Sequence, residues 1–398
     1  MKKSRFNIYF ELEEKNYIFN TKSNALIECE NDIFSNTQYI NDLLNLGILI
    51  EDNVDEVAVL VDEINENIMK KSAVLNVTIL LTNQCNFRCI YCYQDKHPSY
   101  LSIKSADEFT RVIEDIFVEN EYTEFNIHYF GGEPLLNLNT LEYLDQKLNR
   151  LCEKHNITFL RHITTNGSLL TKEVITKLNF NEIQLTFDGN EENHELFRVN
   201  SFFSYENQLN LINDILTFSN STILCRMNVC EENKEDIDGY ITNLFNRFKT
   251  KRIIIYIHRM EKYTENNLYT VLDNEQYARI EFISKSLLSK LNHEYKIPKN
   301  LYYNCSTANG NTIVVNTDLS LRFCTVVSND SFKYFDKECI QNKSSLKLAD
   351  ECMNCKVLPL CLGGCPVQRD LGSGACITEK YHIEDLLKQY CINNLTFE

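Results

Sequence analysis

The stretch TNQCNFRCIYCYQ, residues 82–94, places three cysteines within eight positions. Their spacing is C-x3-C-x2-C, from Cys85 through Cys89 to Cys92. A small zinc site would need a fourth ligand, and His97 stands close enough in sequence to supply one. A [4Fe–4S] cluster that only carries electrons needs four thiolates, so three cysteines leave one iron open to another ligand. The loop by itself therefore leaves zinc and an open iron–sulfur cluster as alternatives.

The composition is that of a globular protein with a strongly acidic balance. The chain has 398 residues, 43% of them hydrophobic and 24% charged, which is enough for two or three domains. Its formal net charge is −16. A nucleic-acid partner normally meets a basic surface, so we expect none here.

The cysteines are concentrated rather than spread evenly. Eight of the 16 lie between Cys305 and Cys376. The N-terminus is interrupted by Glu11, Glu13 and Glu14 where a signal peptide would need an apolar run, and no stretch has the length of a membrane span. We therefore expect a cytoplasmic chain without a membrane partner, in which reduced thiols bind metal.

From Leu75 onward, apolar runs of strand length alternate with helical segments such as SADEFTRVIEDIFVEN. The runs are LNVTILL, FNIHYF, FLRHITT, IQLTF, TILCRMNV and RIIIYIH. This alternation predicts an α/β fold of parallel βαβ units. Six units suit a partial (β/α)6 barrel, whose chemistry lies on the loops after the strands.

Two flanking regions differ from this pattern. In residues 1–72, the segment FNIYFELEEKNYIFNT predicts a hairpin that turns at Glu14–Asn16, followed by a helix, a short strand and a second helix. Residues 296–398 form a cysteine-rich tail with weak periodicity. The sequence thus predicts three domains, 1–72, 73–295 and 296–398.

Glycine-containing loops follow the second, third and fourth predicted strands. They are FGGEP (130–134), TTNG (164–167) and TFDGNEENHELFR (186–198). Each alone is ordinary turn chemistry. Together with the cysteine loop, they resemble the radical S-adenosylmethionine (SAM) enzymes. The resemblance implies a [4Fe–4S] cluster whose open iron binds SAM and cleaves it reductively to a 5′-deoxyadenosyl radical, which abstracts hydrogen from an unactivated C–H bond.

The same resemblance assigns cofactor contacts. It places the SAM amino group at FGGEP, the SAM carboxylate at Arg198 and polar support at the third and fourth loops. Asp188 and His194 match the family pattern too, although a structural role in the turn is an equal alternative. The implied SAM-binding residues are Tyr91, Gly131, Gly132, Glu133, Asn166, Thr186 and Arg198.

The tail carries the spacing C-x2-C-x5-C-x3-C, which resembles the SPASM extension of radical SAM enzymes; a zinc ribbon is the alternative. The resemblance implies two auxiliary [4Fe–4S] clusters, and hence three in the chain. The second auxiliary cluster would use Cys352, Cys355, Cys361 and Cys376, and the first Cys305, Cys324 and Cys365. With three ligands, the first could accept a substrate thiolate, unless Cys339 or Cys391 completes it.

Some details of the tail stay open at this point. Cys391 competes with Cys376 as a ligand. The family usually has glycine five residues before the second SPASM cysteine, where this chain has Leu319, so we expect a different local hairpin. The cysteines outside the clusters are expected to pack in the core; they are Cys29, Cys152, Cys225 and Cys230.

Residues 1–72 resemble the RiPP recognition element, a winged-helix-like domain that binds the leader of a ribosomally made precursor peptide. A capping domain without a ligand is the alternative. The resemblance over the whole chain implies a radical SAM/SPASM maturase, with a flavodoxin- or ferredoxin-type electron donor. A thioether crosslink is favoured and a carbon–carbon link is the other option.

Two further readings remain. An anaerobic sulfatase-maturing enzyme would form formylglycine, but such enzymes usually carry aspartate where this chain has Thr325. A non-catalytic iron–sulfur scaffold that binds peptides is the alternative from another class.

Overall fold

A computed structural model describes residues 1–30, 33–94, 97–200, 202–262, 268–299, 312–326, 334–336, 348–370 and 376–395. Its strands are β1 (Lys2–Lys3), β2 (Asn7–Leu12), β3 (Lys15–Asn20), β4 (Leu26–Cys29), β5 (Leu49–Ile50), β6 (Val74–Thr82), β7 (Glu124–Gly131), β8 (Thr158–Thr164), β9 (Glu182–Thr186), β10 (Thr222–Val229), β11 (Ile253–Arg259), β12 (Thr312–Val315) and β13 (Leu321–Arg322). Its helices are α1 (Ile40–Asn45), α2 (Glu56–Met69), α3 (Ile103–Glu119), α4 (Leu138–His155), α5 (Lys172–Leu178), α6 (Glu191–Phe197), α7 (Tyr205–Phe218), α8 (Ile237–Phe248), α9 (Asn274–Asn292), α10 (Leu358–Cys361), α11 (Pro366–Asp370) and α12 (Glu379–Asn394).

The chain divides into two compact units that are discontinuous in sequence. One comprises Met1–Lys70, Asp273–Asn309 and Ser344–Glu398, and the other comprises Lys71–Leu272 with Gly310–Lys343. The division into three consecutive domains stays a prediction. Among the helices in the described parts of the chain, none is both long and apolar enough to cross a membrane.

The second unit is built on the six predicted strands. β6 to β11 lie side by side in sequence order, and every neighbouring pair is parallel. Helices follow the strands, as in βαβ units. The predicted α/β fold with a partial (β/α)6 arrangement is therefore confirmed.

Alternation along the strands separates two faces of this sheet. On β7, Ile127 and Tyr129 are fully buried, and the Tyr129 hydroxyl donates to Asp145 Oδ1 on α4 at 2.9 Å. Their neighbour His128 is less buried and points the other way. The apolar face therefore packs on the helices, and the face of His128 is the interior face of the barrel.

The sheet continues past β6 into the tail. β12 pairs in parallel with β6, and β13 returns antiparallel to it. Leu319 in the turn between them adopts a φ of +68°, the left-handed conformation that favours glycine. The expected difference in the hairpin stays a prediction. Left-handed backbone costs a leucine about 1–2 kcal/mol, and burial of this side chain, which is 5% exposed, returns about 1.5–3 kcal/mol.

The N-terminal segment is a small α/β arrangement in the first unit. β2, β3 and β4 form an antiparallel sheet, and β1 pairs with β5. The predicted hairpin forms, but its turn lies at Glu13 and Glu14, which both have positive φ. Gly47 ends α1 at φ +69°, and Asp55 caps the N-terminus of α2. Its winged-helix-like classification stays a prediction.

This segment shares its apolar core with the cysteine-rich tail. Its sheet packs on α10 and α12 through the buried residues Ile8, Phe10, Tyr17, Phe19, Val357, Leu360, Ile383, Leu387 and Cys391. α2 packs likewise on Leu358 and Leu362. The two ends of the chain therefore stabilise each other.

Candidate functional site

The cysteine loop follows β6 and is held by backbone hydrogen bonds from a distant segment. Arg88 N donates to the Val199 carbonyl at 2.8 Å, and Ile90 N donates to the Phe197 carbonyl at 3.0 Å. Phe197 is the last residue of α6, and Val199 lies two residues beyond it. The loop that carries the three cysteines is thus fixed to the loop that carries Arg198.

The two glycines of FGGEP pack against the start of the cysteine loop. A Cβ on Gly131, whose φ is +139°, would lie 2.2 Å from the Thr82 carbonyl oxygen. A Cβ on Gly132 would lie 2.3 Å from the Gln84 carbonyl oxygen. The resemblance implies that these glycines contact SAM; in the structure they let one backbone approach another. Their contact with SAM stays a prediction.

Glu133 joins the loops that follow β7 and β8. Its side chain is fully buried. Oε1 accepts from Thr165 Oγ1 at 2.7 Å and from Leu135 N at 3.1 Å, while Oε2 accepts from Asn166 N at 2.7 Å. Burial raises the pKa of this carboxyl group, and the three hydrogen bonds oppose that rise. Glu133 is therefore a brace of the site, and its proposed contact with the SAM ammonium is not tested.

A chain of hydrogen bonds connects the cysteine loop to the loop after β9 and to the end of β10. Arg198 Nη1 donates to the Tyr91 hydroxyl at 3.2 Å, and that hydroxyl donates to Asp188 Oδ2 at 2.5 Å. Asp188 Oδ1 accepts from the backbone and side-chain nitrogens of Asn228, each at 3.2 Å. Asp188 is fully buried and Arg198 is 4% exposed. We call Arg198, Tyr91, Asp188 and Asn228 the loop network.

One polar atom of the loop network has no partner among the described residues. Arg198 Nε is buried and makes no hydrogen bond there. A guanidinium N–H that is buried and unpaired costs about 1–3 kcal/mol, so it is suited to receive an anionic group. This vacant donor fits the predicted contact with the SAM carboxylate.

Of the two remaining predicted residues, Asn166 contacts the cysteine loop and Thr186 contacts α7. Asn166 Nδ2 lies 3.8 Å from Cys85 Sγ and donates to Asn86 Oδ1 at 2.7 Å. Thr186 ends β9, and its carbonyl accepts from Gln208 Nε2 at 2.6 Å. The structure thus brings Asn166 to the first cysteine.

His194 occupies a structural position in the turn. It is 1% exposed, and its Nδ1 accepts from Asp188 N at 3.4 Å. Burial holds its pKa well below the usual value, so the ring is neutral at physiological pH. This supports the structural alternative for His194.

The three loop cysteines are half-buried and near one another. Burial raises the pKa of the Cys89 thiol to about 11, nearby Arg198 opposes that rise, and Cys92 and Cys85 add to it. A bound metal would deprotonate such thiols. Within the described ranges, no three His, Cys, Asp or Glu side chains are already gathered as a metal site. The ligand sets therefore stay predictions.

In the tail, the four cysteines assigned to the second auxiliary cluster line one partly open cavity. They are Cys352, Cys355, Cys361 and Cys376. Lys380 and Arg369 line it too, and Lys380 Nζ donates to Cys376 Sγ at 3.1 Å. Cations beside thiolates offset the negative charge of an iron–sulfur cluster, so the cavity fits the predicted group.

The structure separates Cys376 from its competitor. Cys391 is fully buried in the apolar core shared with the N-terminal sheet, whereas Cys376 lines the cavity. Cys365 immediately precedes α11. Cys305 and Cys339 lie outside the described residues. The predicted core positions of Cys152, Cys225 and Cys230 are confirmed, while Cys29 is half-buried.

Several residues near the site were not predicted from the sequence. Tyr93 lies near Cys92 and Cys324 and hydrogen-bonds the Thr325 side chain; burial raises its pKa. Arg226 and His258 lie on the interior face of the barrel, next to Asn228. Their signal in the sequence was the alternation of polar and apolar residues in the second half of each strand, RMNV in β10 and YIH in β11.

Comparison with known families and proteins gives a consistent result. The profile of the Radical SAM superfamily matches residues 79–242. The radical SAM cyclopropyl synthase TigE of Paramaledivibacter caminithermalis is 29% identical over 136 residues, which are 30% of this chain and 28% of TigE. The cysteine-type anaerobic sulfatase-maturating enzyme of Clostridium perfringens is 23% identical over 346 residues, 75% of this chain and 90% of that enzyme. A Methanocaldococcus jannaschii protein, MJ0907, matches over 40% of its length.

Solved structures with the same fold include enzymes with bound peptides. Native anSMEcpe with bound AdoMet and Kp18Cys peptide superposes with a TM-score of 0.63 at 16% identity, covering 81% of this chain and all of that one. Streptococcus suis SuiB bound to precursor peptide SuiA superposes with a TM-score of 0.53 at 14% identity, covering 92% of this chain and 96% of SuiB. At these identities the likeness shows the fold alone.

Proposed function

Residues 79–242 form a radical SAM domain, and on that premise we propose that the chain is a maturase that modifies a ribosomally made precursor peptide. The observation that carries the proposal is the loop network around the cysteine loop, in which the buried Arg198 Nε has no hydrogen-bond partner among the described residues. Loops after four neighbouring strands meet there, each with polar groups suited to a small charged cofactor.

The protein's own residues have distinct tasks in this proposal. Cys85, Cys89 and Cys92 hold three irons of a [4Fe–4S] cluster, and Arg198 holds the carboxylate of SAM. Glu133 fixes the relative position of the loops that surround the cofactor. When bound, the cluster and SAM supply reductive hydrogen-atom abstraction, and the protein contributes orientation and exclusion of water.

The substrate assignment rests on the flanking segments. The N-terminal segment would bind the leader peptide, with an edge strand of its sheet available for strand addition. The tail would hold two auxiliary [4Fe–4S] clusters, and a flavodoxin- or ferredoxin-type protein would supply electrons. We propose a thioether crosslink as the product, because a first auxiliary cluster with three protein ligands leaves room for a substrate thiolate.

Formylglycine formation is the second candidate. It is favoured by the sulfatase-maturating relative, which matches over 90% of its own length. Against it, the residue after Cys324 is Thr325, whose side chain hydrogen-bonds Tyr93 and cannot act as a carboxylate base.

Mass spectrometry of a co-expressed peptide tests both candidates. The chain would be expressed with any small peptide encoded beside its gene. A crosslink removes two hydrogens from the peptide, whereas formylglycine formation replaces a cysteine thiol by an aldehyde. An unmodified peptide, together with SAM that is not cleaved after reduction, would reject the enzyme and favour the non-catalytic scaffold.

A further inference from the structure

Arg226 lies on β10, on the interior face of the barrel, four strands away from β6, the strand that precedes the cysteine loop. It alternates on β10 with Cys225 and Met227, which are fully buried. Tyr240 on α8 donates to the Cys225 carbonyl, which shows that α8 packs on this strand. The Arg226 side chain is only half-buried. A solute in the barrel can therefore reach it.

Arg226 differs from other arginines of the same unit in its partners. Arg161 pairs with Asp145 at 2.8 Å, and Arg259 pairs with Glu261 at 2.8 Å. For Arg226, no carboxylate among the described residues lies within the 4.0 Å ion-pair distance. Its Nε donates to the neutral Asn228 Oδ1 at 2.8 Å.

Neutral hydrogen-bonding groups surround Arg226 on the neighbouring strand. Tyr256 is its partner in register, hydrogen-bonds it, and also donates to Gln184 Oε1 at 2.8 Å. His258 is one layer above, opposite Asn228, with Nδ1 against the Arg259 carbonyl. The charge of Arg226, together with burial, lowers the pKa of His258 to about 3, so this ring is neutral.

The nearest carboxylate on the adjacent strand is too far along the sheet to pair with Arg226. Glu182 is in register with Thr222, four residues before Arg226, and approaches His162 at 3.5 Å instead. Four residues of strand span about 13 Å. Among the described residues, the interior therefore has a fixed positive charge without a carboxylate counter-ion at the layer of Arg226.

Arg226 is also connected to the cofactor side of the site. Asn228 accepts from Arg226 and donates to Asp188, so the loop network extends from Arg198 to Arg226. Tyr93 is close enough to Arg226 for the guanidinium to lower the pKa of its hydroxyl against the effect of burial. An anion at Arg226 would thus lie between the cysteine loop and the segment of Cys324.

We propose that Arg226 binds a carboxylate of the peptide substrate inside the barrel, with Tyr256 as a second hydrogen-bonding group. The inference rests on the proposed function, because it names a property of that substrate. The carboxylate comes from an acidic side chain or from the C-terminus of the peptide. Such an anchor would fix which residue of the peptide faces the cofactor.

Binding of short peptide probes tests the inference. The probes are an end-blocked hexapeptide with a central Glu, its Gln counterpart, and the Gln peptide with a free C-terminal carboxylate. Affinities are measured by saturation-transfer NMR on the full-length, cluster-loaded protein with SAM and without reductant. We expect the Glu peptide, the free-carboxylate peptide or both to bind about tenfold or more tightly than the neutral peptide. The better binder identifies the source of the carboxylate.

Three variants make the result specific to this site. Arg226→Gln should abolish the preference for carboxylate, and Arg226→Lys should restore part of it. Arg150→Gln removes the same charge from an exposed position on α4 and should keep the preference. Equal affinity for the three probes would overturn the inference, and so would the absence of detectable binding for all three. So would loss of SAM affinity in Arg226→Gln without any change in peptide preference.

The proposed function is tested separately in the same preparation. Reduction with dithionite measures cleavage of SAM by the wild-type protein and requires no peptide. Cleavage without carboxylate preference rejects only the role of Arg226. Carboxylate preference without cleavage rejects only the proposed function.

Discussion

Replacing Tyr91 by Phe removes one oxygen atom from the centre of the loop network. The hydroxyl accepts from Arg198 Nη1 at 3.2 Å and donates to Asp188 Oδ2 at 2.5 Å. Both partners are charged and nearly inaccessible to water. A hydrogen bond to a charged group is worth about 1.5–3 kcal/mol. With partial relaxation, we expect Tyr91→Phe to destabilise this part of the barrel by about 2–4 kcal/mol.

The matched control is a second tyrosine that donates to an aspartate. Tyr143 donates to Asp107 Oδ1 at 2.7 Å, but the Asp107 side chain is 45% exposed. Water can replace the hydroxyl there, so Tyr143→Phe should have a much smaller effect. The two variants make the same chemical change in different surroundings.

Native-state hydrogen exchange measured by mass spectrometry is the suitable assay, because the chain has two units and a single unfolding free energy is not well defined for it. A loss of about 2 kcal/mol should speed exchange of amides in β9 by about 30-fold. Tyr143→Phe should leave these amides near the wild-type rate. Similar acceleration in both variants would refute the reasoning that burial makes the Tyr91 hydrogen bonds strong.

Three further predictions concern the packing and the metal content. Gly132→Ala should displace the cysteine loop and cause loss of iron, because the new Cβ would lie 2.3 Å from the Gln84 carbonyl oxygen. In the control Gly239→Ala, the new Cβ would have no heavy atom within 4 Å, so the protein should keep its iron. Phe10→Ala should lower the free energy of unfolding of this core by about 3–5 kcal/mol and increase hydrogen exchange in α10 and α12. Tyr9→Ala, at an exposed position of the same strand, should do neither. Equal effects of the two substitutions would argue against a shared core. Anaerobic reconstitution should give about twelve irons per chain, and about four would limit the protein to one cluster.

The parallel sheet was predictable because apolar or mixed runs of strand length alternate with segments of helical periodicity. All six runs from LNVTILL to RIIIYIH became β6 to β11. The grouping of the loops that follow these strands was also predictable, because parallel strands bring their carboxyl ends together. Thus Asn166 and Arg198, which are far from the cysteine loop in sequence, contact Cys85 and Tyr91 of that loop.

The roles of individual residues within these loops were less predictable. Spacing alone could not reveal that Gly131 and Gly132 pack on the backbone of the cysteine loop, or that Glu133 braces two loops. These contacts depend on how segments that are distant in sequence are positioned in the fold. A shift of a few tenths of an ångström would change them. Leu319 shows the same limit, because a leucine can adopt a glycine conformation when its side chain is buried.

Long-range pairing between the ends of the chain gave no signal in the sequence. Periodicity identifies the buried face of a strand or helix but not its partner. The N-terminal sheet therefore looked like a separate domain, although Phe10 and Phe19 pack with Leu360 and Leu387 of the tail. Deleting residues 1–72 would expose this core. Leader binding is therefore better tested with substitutions of exposed residues on the sheet, which leave the core covered.

Formation of 5′-deoxyadenosine is the most direct test of the central claim that Cys85, Cys89 and Cys92 hold a cluster that cleaves SAM. The reconstituted protein is incubated with SAM and dithionite, and the product is quantified by liquid chromatography and mass spectrometry. Wild type should form 5′-deoxyadenosine, and the variant Cys85→Ala/Cys89→Ala/Cys92→Ala should form none while losing about four irons. Formation of the product by the triple variant at the wild-type rate, or by neither protein, would contradict the account.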